Sequence, residues 1–212
     1  MDGGLGWSLR ETGTRLYTRV YFSPVETVQE YETWTGDSVP VFWFSDDAPM
    51  FGQATFFRTI ILNASAMSAL SDRAREYVVQ HELGHLQRRP IRKGVFWGLL
   101  AACFILFLLA LDVLLALLRS GFSFPLALGF GAVVVSSLLS FVLASRLEET
   151  AAELFALRQL GEAEFLASKR EIRHSSGESV GARLFVALAY PTPERVVKLD
   201  RLVRRVEGPF GG

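Results

Sequence analysis

Residues 81–85 read His-Glu-Leu-Gly-His, and the two histidines stand four positions apart. On an α-helix this spacing places both imidazoles on one face, separated by one turn and about 40° of rotation. Both side chains can therefore reach one metal ion, and zinc is the ion for which this pattern is typical. Glu82 then lies beside the open coordination position, where its carboxylate can accept a proton from water. The alternative is a solvated helix whose two histidines bind nothing.

The motif falls in a stretch that predicts a helix for other reasons. Ser71 is a suitable N-cap residue, and Asp72 and Glu76 lie where the positive end of the helix dipole favours acidic side chains. Pro90 is expected to end or kink the helix after about Arg89. Two of the three histidines in the chain belong to this motif, which favours metal binding over idle side chains.

Two long apolar runs follow the motif. Residues 95–118 read VFWGLLAACFILFLLALDVLLALL, where Asp112 is the only ionisable residue, and residues 124–144 read FPLALGFGAVVVSSLLSFVLA, without a charge. As helices they would measure about 36 and about 31 Å, enough to cross a hydrocarbon layer of about 30 Å. Buried helices of a soluble protein usually show a polar stripe at the helical period, and neither run has one. We therefore predict a transmembrane helical hairpin over residues 95–144.

Basic residues flanking the apolar runs predict the orientation of the hairpin. Residues 88–93 hold four basic side chains and Arg146 follows the second run, whereas the turn between the runs holds only Arg119. The positive-inside rule places both ends in the cytoplasm. Residues 1–94 and 145–212 are then expected to pack together as one cytoplasmic domain, with the hairpin inserted into it.

A zinc site needs a third protein ligand besides the two histidines. The residues alone do not decide which side chain supplies it. The single cysteine, Cys103, lies inside an apolar run, so the ligand must be a histidine or a carboxylate. His174 is the remaining histidine, but its Ser- and Gly-rich surroundings predict a surface loop. A helix predicted over residues 146–160 begins directly after the second run, on the same side of the membrane as His85, so topology favours its carboxylates. These are Glu148, Glu149 and Glu153.

The residues around the hairpin predict an α+β domain. Residues 39–44 and 54–62 are rich in aromatic and β-branched side chains and are separated by the turn-forming residues 45–49. This composition predicts two strands of a small antiparallel sheet. The last predicted helix, residues 193–206, has apolar side chains on one face.

Charge and composition exclude some partners. Lysine plus arginine and aspartate plus glutamate number 22 each, so the formal net charge is +0 and no basic excess is present to bind phosphates. Nucleic acid is therefore not an expected partner. The first twenty residues carry Arg10, Arg15 and Arg19 and no apolar core, so no cleavable secretory signal is expected.

Residues 145–153 read Ser-Arg-Leu-Glu-Glu-Thr-Ala-Ala-Glu. Together with the histidine motif and the intervening hairpin, they resemble the membrane zinc metallopeptidases of the HtpX and CAAX-prenyl-protease type, which are gluzincins. That family has a helix reading roughly Ser-Arg-x-x-Glu-x-x-Ala-Asp after its hairpin, and this chain matches it at four positions. The resemblance implies a gluzincin-like fold and a Zn²⁺ ion bound by His81, His85 and Glu149, and it selects Glu149 over Glu148.

The resemblance extends over about residues 47–202 and includes two departures. Glu153 stands where the family has an aspartate suited to hydrogen-bond a ligand histidine, and its added methylene alters that hydrogen bond. Tyr190 stands where the family usually has a histidine that can stabilise an oxyanion. A phenol can donate the same hydrogen bond, and its alternative role is to cap the last helix. Arg195 follows at the position of a family arginine.

The motifs and the resemblance together imply an integral-membrane zinc endopeptidase of the cell or inner membrane, multi-pass, with its catalytic domain in the cytoplasm. Glu82 would act as general base and then as proton donor to the leaving amine, assisted by Tyr190 or Arg195. Polypeptides close to the bilayer, mainly membrane proteins, are the expected substrates, in a quality-control role. An extended peptide could add as a strand to a sheet edge near residues 51–54.

Two alternatives remain at this point. One is a non-catalytic membrane protein that keeps the zinc fold as a binding or sensor module. The other is a regulatory peptidase that cleaves one dedicated partner. The presence of Glu82 favours catalysis over the first alternative, because a structural zinc site has no use for a base at that position.

Overall fold

The computed structural model describes residues 4–47, 50–87, 90–120, 124–175 and 190–207. The expected domain is α+β, and the described residues form seven helices and four strands. In chain order these are α1 (Gly4–Tyr21), β1 (Thr27–Glu32), β2 (Ser38–Phe44), β3 (Gly52–Ala54), β4 (Ile60–Asn63), α2 (Ala64–Ser68), α3 (Asp72–Leu86), α4 (Pro90–Ser120), α5 (Phe124–Leu160), α6 (Glu162–Ser175) and α7 (Pro193–Glu207).

The four strands form one mixed sheet in the order β1-β2-β4-β3. β1 pairs antiparallel with β2 and β3 pairs antiparallel with β4, whereas the central strands β2 and β4 are parallel. The expectation of a purely antiparallel sheet is therefore wrong. The central pair is parallel because β3 lies between β2 and β4 in the sequence and reverses the chain once more.

The stretch 54–62, expected as one strand, contains this additional reversal. The amide of Thr55 donates to the carbonyl of Thr59 at 2.8 Å, and Thr55 Oγ1 accepts from the amide of Phe57 at 3.2 Å. Arg58 takes a left-handed conformation with φ 59°. The turn was not predicted, because it contains neither the glycine nor the proline that marks most turns. A threonine hydroxyl closes it instead.

The sheet carries a helix on each face, because alternate residues of a strand point to opposite faces. One face packs against α3 in a core that includes Val41, Ile60 and Leu62. The other face packs against α1 and the segment after it, through Phe42 and Ile61. The sequence did not predict α1, which contains three glycines and three threonines, residues of low helix propensity.

The helix that carries the histidine motif is confirmed. Ser71 caps α3 by accepting from the amide of Ala74, and the helix ends at Leu86, three residues before the expected end. Pro90 does begin a new helix, α4, at a position where its missing N–H costs nothing.

The second apolar run and the helix expected after it form one continuous helix. α5 extends for 37 residues from Phe124 and ends at Leu160, where Gly161 has φ +83°. The expected stop at Gly161 is therefore confirmed, whereas no break separates residues 124–144 from residues 146–160. A rigid element consequently connects the apolar run to the acidic residues at its far end.

The two apolar runs lie in α4 and α5, which pack against each other. Large apolar side chains of both helices are exposed on the protein surface, including Leu106, Leu109, Leu139 and Leu143. Among the described residues one helix, Gly131–Leu160, is long and apolar enough to cross a membrane, and the apolar part of α4, Cys103–Ala116, is shorter. By length and composition the structure thus supports one candidate span of the two expected.

Candidate metal centre

Helices α3 and α5 meet where the histidine motif and the acidic cluster lie. A Cβ atom on Gly84 would stand 2.8 Å from Ala152 Cα and 3.0 Å from Ala152 O. Only glycine allows the backbones to approach so closely, since those neighbouring atoms belong to the backbone of α5 and cannot rotate away. Gly84 therefore sets the separation across which the two helices share a site.

This approach brings His81, His85 and Glu149 together. Glu149 Oε2 lies 3.2 Å from His81 Nε2 and 3.7 Å from His85 Nε2, and one ligand atom from each residue fits within 4.8 Å of the others. A tetrahedral zinc ion bound at about 2.0–2.2 Å would hold its ligand atoms about 3.3 Å apart. Small side-chain movements bring the three atoms to that separation.

The hydrogen bonding of the cluster also fits a metal ion. Glu149 Oε2 is buried and makes no aligned hydrogen bond within the described residues, although two imidazole nitrogens lie close to it. A buried carboxylate oxygen without a hydrogen bond costs free energy unless it is compensated in another way. Coordination of a cation shared with both imidazoles would compensate it.

Charges within the cluster shift the pKa values of its members in opposite directions. Burial alone would raise the pKa of Glu149, but its contacts with His81 and His85 outweigh burial and lower this pKa to about 2. Burial alone would lower the pKa of His81, but Glu149 and the charges of Glu153 and Glu82 raise it. The arrangement therefore favours positive charge at its centre, whether protons or a metal ion supply it.

The carboxylate of Glu82 is bound by the sheet. Its Oε2 atom accepts a hydrogen bond of 2.6 Å from the amide of Ala54, in the edge strand β3. Burial raises the pKa of Glu82, and the charges of His81 and His85 oppose this rise. A buried carboxylate of raised pKa beside a metal centre is suited to accept and release a proton.

Glu153 is fully buried one turn beyond Glu149 and contacts the same histidine. Its Oε1 atom lies 3.7 Å from His81 Nδ1, a distance too long for a hydrogen bond. The same oxygen accepts hydrogen bonds of 2.8 Å from the hydroxyl of Tyr77 and 2.8 Å from Lys169 Nζ. Sequence reasoning did not single out Tyr77, although it precedes His81 by one helical turn, and no local pattern indicated Lys169.

The other candidate residues occupy different positions. Burial, and then the charges of Glu149, Glu82 and Glu153, raise the pKa of Tyr190 above its usual range, which keeps the phenol protonated. Arg195, on α7, has an exposed side chain.

The expectation of a loop at His174 is wrong, since this residue belongs to the last turn of α6. Its side chain lies outside the described part of the structure.

Glu148 is partly buried on α5, next to Glu149. Within the described residues the group that can hold a metal ion contains Glu149 and not Glu148. The arrangement agrees with the helical rotation of about 100° that separates the two neighbours.

Two histidines and a glutamate from a second helix, with a further glutamate beside them, define a metallopeptidase site on an α+β domain. The profile of Peptidase family M48 matches residues 45–203, about three quarters of the chain. The chain therefore belongs to peptidase family M48, whose members are metal-dependent peptidases. No curated protein and no solved structure matches it. The matched region includes both helices of the site and excludes α1.

Proposed function

We propose that this protein is an integral-membrane zinc endopeptidase of the HtpX and CAAX-prenyl-protease type within family M48. The observation that carries the proposal is the convergence of His81, His85 and Glu149 on one point. The carboxylate of Glu82, on the same helix as the two histidines, accepts a hydrogen bond from the amide of Ala54 in β3. His and carboxylate ligands at this spacing favour zinc over magnesium or calcium, which prefer all-oxygen sites.

The residues of the chain have separate roles in the proposed hydrolysis. When bound, zinc polarises the scissile carbonyl and makes water acidic enough to attack near neutral pH. Glu82 accepts the proton of the attacking water and delivers it to the leaving amine. Tyr190, protonated and close to the cluster, donates a hydrogen bond to the developing oxyanion. Arg195 is the second candidate for this last role.

The position of β3 supports the proposed binding of an extended peptide. Among the strands that the structure describes, β3 is the last of the sheet and pairs with β4 alone. A substrate strand can add to its free edge through main-chain hydrogen bonds, which align a peptide with little dependence on its side chains. The scissile bond would then lie next to Ala54, whose amide holds Glu82.

Two features support a membrane location. The exposed apolar surface of α4 and α5 has no protein to cover it among the described residues, and lipid would cover it. Members of family M48 are often membrane-bound. Glu149 follows the end of the second apolar run by five residues, about 7.5 Å along the helix axis. We infer that the metal centre lies close to the headgroups and cuts membrane proteins or membrane-proximal segments, in a quality-control role.

The topology is tested by labelling cysteines introduced one at a time into a chain in which Cys103 is replaced by serine. Cysteines at Ser8 and Gly208 are expected to react with a membrane-impermeant reagent only from the cytoplasmic side. A cysteine at Ser120 is expected to react only from the outside, because Ser120 ends α4 at the turn between the two apolar runs. Labelling of the two ends from opposite sides would contradict a two-span hairpin.

Removal of the metal tests the reaction. Dialysis of the purified protein against a strong chelator is expected to reduce cleavage of a casein-type substrate to background, and one equivalent of zinc is expected to restore it. Metal analysis of the untreated protein should give about one zinc per chain. A protein that holds zinc without cleaving casein would favour the sensor, or a peptidase specific for one partner. Failure to bind zinc would contradict the proposed centre itself.

A further inference from the structure

We propose that Lys169 and Tyr77 are positioning residues for the metal ligand His81, and that they act through the carboxylate of Glu153. This inference rests on the proposed zinc centre. It adds two residues from two helices, α6 and α3, to the machinery of the site.

The three side chains form a closed set of hydrogen bonds. Lys169 Nζ donates to Glu153 Oε1 at 2.8 Å and to the hydroxyl of Tyr77 at 3.1 Å. The hydroxyl of Tyr77 donates in turn to the same Oε1 atom at 2.8 Å. Both donors therefore fix the oxygen that stands 3.7 Å from His81 Nδ1.

Glu153 faces the ring nitrogen of His81 that does not face Glu149. This Nδ1 atom is buried and has no hydrogen-bond partner among the described residues, and Glu153 Oε1 lies 3.7 Å from it. Metal-binding histidines commonly donate this second ring N–H to a carboxylate or carbonyl, which fixes the tautomer and the ring. The place of Glu153 Oε1 thus decides whether that hydrogen bond can form when the imidazole moves onto a metal ion.

Among the described residues, Lys169 completes the charge balance of the region. Glu82, Glu149 and Glu153 contribute three negative charges within or next to the cluster. A zinc ion supplies two positive charges, and the ammonium of Lys169, in contact with Glu153, supplies the third. Glu153 has a side chain only 1% exposed, where an uncompensated carboxylate would be strongly unfavourable.

The length of Glu153 is part of the same arrangement. An aspartate at this position would withdraw its carboxylate toward α5 by about one C–C bond, or about 1.5 Å. The two 2.8 Å hydrogen bonds to Tyr77 and Lys169 could not both survive this movement unchanged. The added methylene, a departure from the aspartate expected by resemblance, therefore carries the carboxylate to its two donors.

The experiment separates this role from a purely structural one by a matched pair of variants. Lys169→Met removes the ion pair between Lys169 of α6 and Glu153. Glu171→Gln weakens a different contact between α6 and α3. Glu171 accepts hydrogen bonds from the amide and the hydroxyl of Ser71, which caps the far end of α3. Both are full-length and zinc-loaded, and three quantities are measured: thermal unfolding, the rate of zinc transfer to excess chelator, and the visible absorption of the Co²⁺-substituted protein.

Lys169→Met is expected to release zinc up to about 10-fold faster than the wild type, the lower end of the effect of losing a ligand's own carboxylate partner, because Lys169 acts through that carboxylate. Its Co²⁺ absorption bands should shift, because His81 reorients. Glu171→Gln should lower the unfolding temperature and leave zinc release and the Co²⁺ bands unchanged. Lys169→Arg keeps the charge and should release zinc at a rate closer to that of the wild type. Added to Glu153→Gln, Lys169→Met should cause little further change, since both act through one carboxylate.

Wild-type zinc release and Co²⁺ bands in a folded Lys169→Met variant would overturn the proposal. Equal effects of Lys169→Met and Glu171→Gln on zinc release would also overturn it, because they would indicate a general loosening of α6. If Lys169→Met does not fold, the test is made with Tyr77→Phe, which removes only the hydroxyl. This variant should accelerate zinc release several-fold. An unchanged rate would refute the inference. A wild-type chain that binds no zinc would refute the proposed function instead, so the two failures are distinguishable.

Discussion

Glu82→Gln is expected to abolish peptide cleavage while the zinc content stays near one per chain. Glutamine has nearly the shape of glutamate, and its carbonyl oxygen can still accept the 2.6 Å hydrogen bond from Ala54. The substitution removes only the ability to accept and return a proton. Loss of a general base typically costs about 10²- to 10⁴-fold in rate, which would bring cleavage of a casein-type substrate close to background.

The control for this variant is the removal of a ligand. His81→Ala and His85→Ala should lose the metal as well as the activity, because each removes one of the nitrogens that face Glu149. Glu82→Gln should lose activity alone. Wild-type turnover by Glu82→Gln would show that another group is the base, and a folded histidine variant with stoichiometric zinc would contradict the ligand assignment.

Zinc affinity is expected to distinguish the three glutamates of α5. Glu149→Ala should remove zinc or weaken its binding by several orders of magnitude, because it deletes a ligand. Glu153→Ala should weaken binding by about 10- to 100-fold, because Glu153 contacts His81 without facing the ion. Glu148→Ala should change zinc binding little, because Glu148 does not belong to the group that can hold a metal ion among the described residues.

This order is measured by zinc retention against a graded series of chelators, with circular dichroism to confirm that each variant folds. Glu149 and Glu153 are one turn apart on the same face of α5, whereas Glu148 is rotated by about 100° from Glu149. If Glu148→Ala proves the most damaging variant, the register of α5 is wrong by one residue. The face that it presents to α3 would then differ from the one described.

The sequence by itself predicted the parts of the site that depend on local rules. A cap at Ser71 and a spacing of four residues are sufficient to place His81 and His85 on one helical face, and α3 confirms both. Helix periodicity also separates Glu148 from Glu149, although a resemblance was needed to choose between them. The resemblance to metallopeptidases is confirmed at the level of family M48. The roles of Tyr190 and Arg195 stay predictions.

The parts that the sequence missed depend on contacts between distant residues. Helix α1 has weak intrinsic propensity, and its stability comes from packing on the sheet, which no local pattern records. The parallel pairing of β2 with β4 depends on a turn closed by a threonine hydroxyl.

The sequence by itself determined the metal-binding face of α3, because helical spacing alone places His81 and His85 on one face. Only the tertiary structure decided what surrounds that face. Gly84 lets α5 approach α3, and Glu153 meets Lys169, 16 residues farther along the chain, and Tyr77, 76 residues before it. Such contacts form when separate helices pack, and periodicity within one helix carries no information about its partners.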